Sequence, residues 1–416
     1  MSAVSDGVDP TSQGLELRHL RGFVAVAEEL NFRRAAERLY LTQPALTRQI
    51  QTLERLVGCE LLIRSTRTVR LTLAGEALLD RARPILREVD AAVTAAQLVG
   101  GELAARMGDI WQPLVRAVAL DEDIEFVRSA WESVHANCAP PPETGVRAVV
   151  AGGVPALLVG PTQLDRPSLL YLHGGGYLLG SAFGYRSHAG VLAAASDTTA
   201  LVLDYRLAPE HPYPAALDDA VAAYLWMLER GTPARCVTLT GDSSGGGLVI
   251  SLLLTLRARN LPLPGAAILL SPWLNFGLDR TSEDDNDLVS LAEARRFAQT
   301  YLAGHPADDP IVNPLRADLT GLPPMLVQAA AGDERLTDAQ ALTERAVQHG
   351  VNAQLEIYPV DAHVFHIFWS FLPLANNALR AAGQFARDHR EEPPAEANGR
   401  PTRSRAAATG DHQGDA

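Results

Sequence analysis

Two units in tandem are predicted from the 416 residues: a mostly helical N-terminal unit, then an α/β unit built on a doubly wound, mostly parallel sheet. Three observations predict them. From Leu169 onward, short apolar runs of strand type alternate with runs of helical spacing, the pattern of parallel strands joined by crossover helices. Within that alternation the apolar run at 237–240 passes through Gly241-Asp242-Ser243-Ser244-Gly245-Gly246 into a helical run at 248–254. Ahead of all this, residues 17–57 hold three helical runs separated by short polar links.

Charge is divided between the units. The formal net charge is −13, and every one of the 36 basic residues is arginine. Residues 15–84 nevertheless carry +4, leaving −17 for the remainder. A basic end piece on an acidic body points to nucleic acid as the partner of that end. Cys59, Cys138 and Cys236 are odd in number and scattered, without metal-ligand spacing, so reduced thiols are expected. No signal-peptide core stands at the N-terminus and no apolar run reaches membrane-spanning length. A cytoplasmic protein without a membrane span is therefore expected.

Residues 1–14 are polar and Gly/Pro-rich and are expected to be disordered. The first helix, 17–30, turns Leu20, Phe23, Val24, Ala27 and Leu30 inward. Asn31 caps a second, 32–39, with Ala35, Ala36 and Leu39 inside. Thr42 caps a third with Pro44 in its first turn, where a missing N–H costs nothing. Its inner face is Leu46, Ile50, Leu53 and Val57; its outer face carries Gln43, Pro44, Thr47, Arg48 and Gln51. Two helices on a tight link, the second with a polar, Arg-bearing N-terminal face, make a helix-turn-helix. Gly58 ends the third helix, and residues 60–73 read as two short strands around a basic wing, where Arg64 and Arg67 can reach phosphates.

The run Asn31-Phe32…Ala35-Ala36-Glu37-Arg38-Leu39…Gln43-Pro44-Ala45-Leu46-Thr47-Arg48-Gln49-Ile50…Leu71-Thr72…Ala74-Gly75 resembles the winged helix-turn-helix of LysR-type transcriptional regulators. The resemblance covers about residues 15–100, with the DNA-binding domain at 15–75. It implies double-stranded DNA as partner. Residues 76–100 read as one long helix with a seam through Leu78, Ala82, Ile85, Val89, Ala92 and Ala96. Pro84 is expected to kink it, and the resemblance makes it the linker that forms a homodimer or higher oligomer. Gly100-Gly101 is expected to end it. No effector domain of the kind usual in that family follows.

Residues 108–388 form the second predicted domain. A single amphipathic helix is expected from Ile110 to His135, followed by strand-like runs at 146–150 and 156–159. The strand run at 169–172 ends in His173-Gly174-Gly175-Gly176, whose bare N–H groups suit an oxyanion hole. Another strand, 200–203, leads into Asp204-Tyr205-Arg206-Leu207-Ala208-Pro209-Glu210. Gly-x-Ser-x-Gly between strand and helix is a nucleophile elbow, with Ser243 at its apex. A serine nucleophile needs a base, and the base needs an orienting carboxylate. Past two later strands stand Gly332-Asp333 and Asp361-Ala362-His363, at strand carboxyl ends where open parallel sheets build their sites. The rivals Asp338, His366 and His211 fall in a helix, a second helix and a Pro-rich loop, where structural roles are expected. Residues 108–140 and 275–320 are read as helical cap elements. The acidic run at 283–287 is read as a solvated loop, not a metal site, and 391–416 as a disordered tail.

These separated motifs, in this order, are similar to those of the hormone-sensitive-lipase family of esterases, over about residues 110–385. The resemblance implies an α/β-hydrolase fold and a serine carboxylesterase needing no metal or cofactor. It makes Ser243, Asp333 and His363 the triad, and Gly174, Gly175, Gly176 and Ser244 the oxyanion donors. Tyr177, Trp273, Phe276 and Phe365 are candidates for the walls of the ester pocket. Val364 stands where that family usually has glycine, which is expected to narrow the backbone beside His363. The alternative function is a transcription factor whose hydrolase fold mainly senses a ligand.

Overall fold

The computed structural model describes residues 14–64, 69–119, 123–136, 139–161, 166–276 and 290–390. Arg67, Cys138, the acidic run at 283–287 and the terminal segments 1–13 and 391–416 lie outside the described residues. The chain divides into two compact units, 1–104 and 105–416.

In the first unit, α1 (Leu17–Glu29), α2 (Phe32–Arg38) and α3 (Gln43–Val57) pack around Phe23, Val26, Ala35, Leu46, Ile50 and Leu53. The Asn31 side chain accepts from the N–H groups of Arg33 and Arg34, and that of Thr42 from Ala45. These bonds satisfy helix-start donors that have no intrahelical acceptor. Gly58 ends α3 in the left-handed region at φ 78°. Leu30 and Val57, expected inside, are exposed, because both sit where their helices end and the chain turns away. Strands β1 (Leu62–Arg64) and β2 (Val69–Leu71) form the antiparallel wing.

Helix α4 departs most from expectation. It runs unbroken from Leu73 to Ala119, through Pro84 and through the Gly100-Gly101 pair expected to stop it. The helix expected over 110–135 is accordingly two: the end of α4, and α5 (Ile124–Ala136). The physical reason is burial. Each glycine costs a helix about 1 kcal/mol relative to alanine. Beyond the pair, Met107, Trp111, Leu114, Ala117 and Val118 are buried, and each large apolar side chain returns roughly 1.5–3 kcal/mol.

The second unit is an eight-stranded sheet in the order β10-β9-β8-β7-β5-β6-β4-β3. Strands β3 (Gly145–Ala151) and β4 (Val154–Gly160) form an antiparallel edge. Strand β4 also pairs antiparallel with β6 (Thr199–Leu203). The others, β5 (Pro167–Leu172), β7 (Thr238–Asp242), β8 (Ala266–Leu270), β9 (Met325–Ala330) and β10 (Ala353–Tyr358), run parallel. Strands β5 to β9 are almost wholly buried, as a sheet covered on both faces requires. The covering helices are α6 (Ala182–Ala195), α7 (Ala215–Glu229), α8 (Ser244–Ala258), α10 (Leu336–Gln348) and α11 (Pro373–Asp388). Helix α9 (Leu291–Leu302) follows the insertion after β8. No helix of the described residues is long and apolar enough to cross a membrane.

Candidate active site

Ser243 stands between β7 and α8 with φ 49° and ψ −121°, a sparsely populated conformation that only a well-fixed surround sustains. The surround is tight. A Cβ on Gly241 would collide with the Gly245 carbonyl, and one on Gly245 with the Leu172 carbonyl. The Ser243 N–H donates to the Leu270 carbonyl at 2.9 Å, and the Trp273 N–H to the Ser243 carbonyl at 2.8 Å.

Two loops bring the partners. Asp333 follows β9 and His363 follows β10. His363 Nε2 lies 2.9 Å from Ser243 Oγ, and His363 Nδ1 lies 2.8 Å from Asp333 Oδ1. A carboxylate only accepts, so Nδ1 carries the proton and Nε2 accepts from the serine hydroxyl. The same Asp333 oxygen accepts from the Arg335 N–H at 2.8 Å. The side chains of His363 and Asp333 are 7% and 0% exposed. Burial disfavours the imidazolium, but the charge and hydrogen bond of Asp333 outweigh it and raise the His363 pKa. Burial likewise pushes Asp333 up, and His363 together with the Arg335 N–H reverses this, holding its pKa below the ordinary value.

The glycine loop leaves β5 beside the elbow, and here the structure divides the four expected oxyanion donors. The Gly174 N–H is already committed, donating to Asp242 Oδ1 at 3.0 Å. Gly175 and Gly176 line a cavity together with Ser243 and His363. Their N–H groups have no hydrogen-bond acceptor among the described residues. Ser244 opens α8, where N–H groups point out of the helix unpaired. Nothing in the elbow motif signals what Asp242 does. Its carboxylate also accepts from the Tyr171 hydroxyl at 2.9 Å and the Tyr185 hydroxyl at 3.0 Å. Burial raises its pKa to about 6 against those three donors. Asp242 thus ties the glycine loop to the elbow.

The cavity over Ser243 holds about 40 Å³. Its walls are Leu114 and Val118 of α4, Trp131 of α5, Ala294 and Phe297 of α9, and Leu179, Trp273, Glu334 and Arg335. Of the four aromatic candidates, Trp273 lines it. Tyr177 lies beneath, stacked on Tyr301 at 3.8 Å and edge-on to Phe276, and Phe365 is fully buried against Tyr358. The α4, α5 and α9 residues carried no sequence signal beyond apolar helical spacing. The rivals fall elsewhere: His211 is exposed, buried His366 meets Gln328 Oε1 at 3.2 Å, and Asp338 accepts from the Leu274 and Asn275 N–H groups. No cluster that could hold a metal ion occurs among the described residues.

In the N-terminal unit, Gln43, Pro44 and Arg48 are exposed on the first turns of α3, and Thr47 is half-buried. The Thr47 hydroxyl donates to the Gln43 carbonyl at 2.9 Å, so only its lone pairs face outward. Arg64 does not stand as a free wing cation. It is ion-paired with Glu54 and lies over the Phe32 ring at 5.2 Å, which fastens β1 to α3 and α2. Arg70 on β2 is an exposed wing cation as well, with no pattern in the sequence to mark it.

Fold and site define the class: an α/β hydrolase preceded by a winged helix-turn-helix. Family models match in both places, residues 169–367 to the alpha/beta hydrolase fold and 17–76 to the bacterial regulatory helix-turn-helix of the lysR family. An acetyl-hydrolase of Streptomyces hygroscopicus is 41% identical over 58% of this chain and 81% of its own. A putative acetyl-hydrolase of Mycobacterium tuberculosis is 34% identical over 61% and 84%. Among solved structures, an esterase of the bacterial hormone-sensitive lipase family superposes with TM-score 0.64 at 36% identity, covering 68% of this chain and 98% of that one. The esterase EstE5, soaked with p-nitrophenyl butyrate, gives 0.60 at 37%, covering 64% and 91%. The chain belongs to the hormone-sensitive-lipase family of esterases and is a carboxylic ester hydrolase carrying a LysR-type helix-turn-helix domain.

Proposed function

We propose that the hydrolase unit cleaves esters of short acyl chains through an acyl-enzyme on Ser243. As Ser243 Oγ bonds to the ester carbonyl carbon, His363 Nε2 takes its proton, and Asp333 holds the imidazole tautomer and stabilises the imidazolium. The carbonyl oxygen gathers negative charge and is held by the N–H groups of Gly175, Gly176 and Ser244. One such donor is worth about 3 kcal/mol. The carbon–alkoxy bond then breaks, and the alcohol leaves with the proton from His363. Water attacks the acyl-serine by the same route, the bond from the carbonyl carbon to Ser243 Oγ breaks to release the carboxylic acid, and Oγ regains its proton from His363. The observation that carries this reading is the unbroken Ser243–His363–Asp333 hydrogen-bond line opening onto a cavity. The cavity's small size and the acetyl-hydrolase relatives support a short acyl group. Turnover of p-nitrophenyl acetate and butyrate by the purified chain, abolished in Ser243→Ala, tests it. Clean wild-type protein that leaves both esters intact overturns it.

We also propose that the first turns of α3 enter the major groove of double-stranded DNA, with Gln43, Pro44, Thr47 and Arg48 at base edges and phosphates. Arg70 joins them on the backbone. Two chains joined through α4 would present two half-sites, which sedimentation of the full chain with and without DNA checks.

A second reading, that the hydrolase senses a ligand for the DNA-binding unit, is favoured by α4. Leu79 and Ala82 near its start belong to the helix-turn-helix core, and Leu114 and Val118 near its end line the cavity over Ser243. Under this reading, occupation of the cavity is felt at the end of α4 and passed to its start. Under this reading, phosphonylation of Ser243 shifts DNA affinity by about 5–150-fold, the usual range of coupling between sites. Equal affinity of the free and phosphonylated chain overturns it.

A further inference from the structure

A second cavity, of about 190 Å³, lies on the far side of two side chains that also wall the first: Val118 and Phe297 line both. The rest of its lining is Ile124, Val127, Leu178, Pro209, Arg296 and Thr300. Six of the eight residues are apolar, so the interior suits a hydrocarbon group.

The chamber's frame is fixed. Arg128 of α5 donates to the Leu178 carbonyl at 3.0 Å and the Ala208 carbonyl at 3.1 Å. It also grips both Glu210 oxygens, at 2.8 and 2.7 Å. One guanidinium thus pins the loops bearing Leu178 and Pro209 to the helix bearing Ile124 and Val127. The dividing pair is placed just as firmly with respect to the chemistry. Phe297 packs so closely on Gly176 that a Cβ there would collide with its ring. Val118 stands in the last turn of α4.

We propose that this outer chamber is the subsite for the apolar tail of the ester, and that Val118 and Phe297 form the partition that sets how long a tail reaches it. The proposal rests on the ester-cleavage reading above and adds its specificity. The inner cavity takes the reacting carbonyl and the first carbons; the tail passes between Val118 and Phe297. The tail is a hydrocarbon extension of either the acyl or the alkoxy part, and the two arms of the test separate these sources.

The first arm compares kcat/KM for p-nitrophenyl esters of two-, four- and eight-carbon acids; the second compares acetate esters of alcohols of the same lengths. Val118→Ala opens the partition and should raise the eight-to-two-carbon selectivity ratio about tenfold in one arm. Thr300→Trp, one turn beyond Phe297 on α9, fills the chamber and should lower the ratio in that same arm by a similar factor. The arm that moves identifies the side of the ester that enters. Circular dichroism and the thermal midpoint of each variant establish that it is folded, and Ile124→Trp stands in for Thr300→Trp if that variant is not. Ratios within twofold of wild type for both variants overturn the proposal. So does a rise in Val118→Ala with no fall on filling the chamber, since that would reflect only a larger inner cavity. Failure of the ester-cleavage reading is a separate result: no ester is turned over at all.

Discussion

The two units place their polar chemistry in opposite ways. In the N-terminal unit, Gln43, Pro44 and Arg48 lie within two turns of one helix, exposed, on a core they do not share. In the hydrolase unit, Ser243 and His363 meet across 120 positions of sequence, and Asp333 is buried behind them. A surface array is assembled by one helix's own geometry. A buried line needs three strand ends of one sheet in register, so its parts fail together. Arginine shows the same contrast from the other side. On the N-terminal unit Arg33, Arg34, Arg38, Arg64 and Arg83 are all spent on carboxylates of that unit. A basic composition therefore overstates the charge free to meet DNA.

The largest effect that sharpens this contrast is at Asp333. Asp333→Asn keeps the shape but removes the charge that, in the proposed mechanism, fixes the His363 tautomer, and should lower kcat for p-nitrophenyl butyrate by about 10⁴-fold. DNA affinity, measured by fluorescence anisotropy, should stay unchanged. A loss below tenfold would detach Asp333 from the chemistry and break the comparison.

Next in size is pH. His363, the base of the proposed mechanism, works only as neutral imidazole, and Asp333 raises its pKa. The acid limb of kcat/KM should therefore have its midpoint above the ordinary histidine value of 6.5, with rate falling about tenfold per unit below it. Stability responds with the other sign at other histidines. Burial lowers His135 and His188 to about 3. The unfolded chain thus binds more protons than the native one between 6.5 and about 3, and stability is lost as pH falls through that window. The hydrolase should accordingly lose activity before it loses structure, which rate and circular dichroism followed on one pH series will separate.

Legibility in the sequence follows the same division. Strands, the elbow and the cap residues Asn31 and Thr42 announce themselves because each depends on neighbours in the chain. What escaped depends on distant groups. Gly174 reads as an oxyanion donor until Asp242 is seen to take its N–H. Arg64 reads as a phosphate contact until Glu54 is seen beside it. Gly100-Gly101 reads as a helix end because the apolar face beyond it is buried only in the fold, where Trp111 meets Trp131 and Phe368.

A smaller effect tests the arginine contrast directly. Arg48 has no ion-pair partner among the described residues, whereas Arg64 has one. Arg48→Ala should weaken DNA binding about tenfold and reduce the salt slope by about 1. Arg64→Ala should leave the salt slope nearly intact and show itself in the melting of the N-terminal unit. Equal salt-slope losses would mean that Arg64 leaves Glu54 when DNA arrives.

The smallest effect compares strain inside and outside. Val364 and Tyr40 both hold left-handed backbone, at φ 46° and 55°, which costs a residue with a Cβ about 1–2 kcal/mol. Glycine removes that cost but gives back roughly 0.5–1 kcal/mol of chain entropy. Tyr40 is 96% exposed and has little packing to lose, so Tyr40→Gly should stabilise the first unit by about 0.5 kcal/mol in urea melts. Val364 is buried beside His363, and emptying its site forfeits about 2 kcal/mol of burial. After the entropy cost, a relief of about 0.5 kcal/mol offsets only part of that loss. Val364→Gly should destabilise by about 1.5 kcal/mol, short of the roughly 2.5–3 kcal/mol expected at an unstrained buried valine, which meets both the burial and the entropy cost. A full-sized loss at Val364 would mean that the loop carrying His363 stores no strain, and the elbow at Ser243 would then be the strained point of the candidate site.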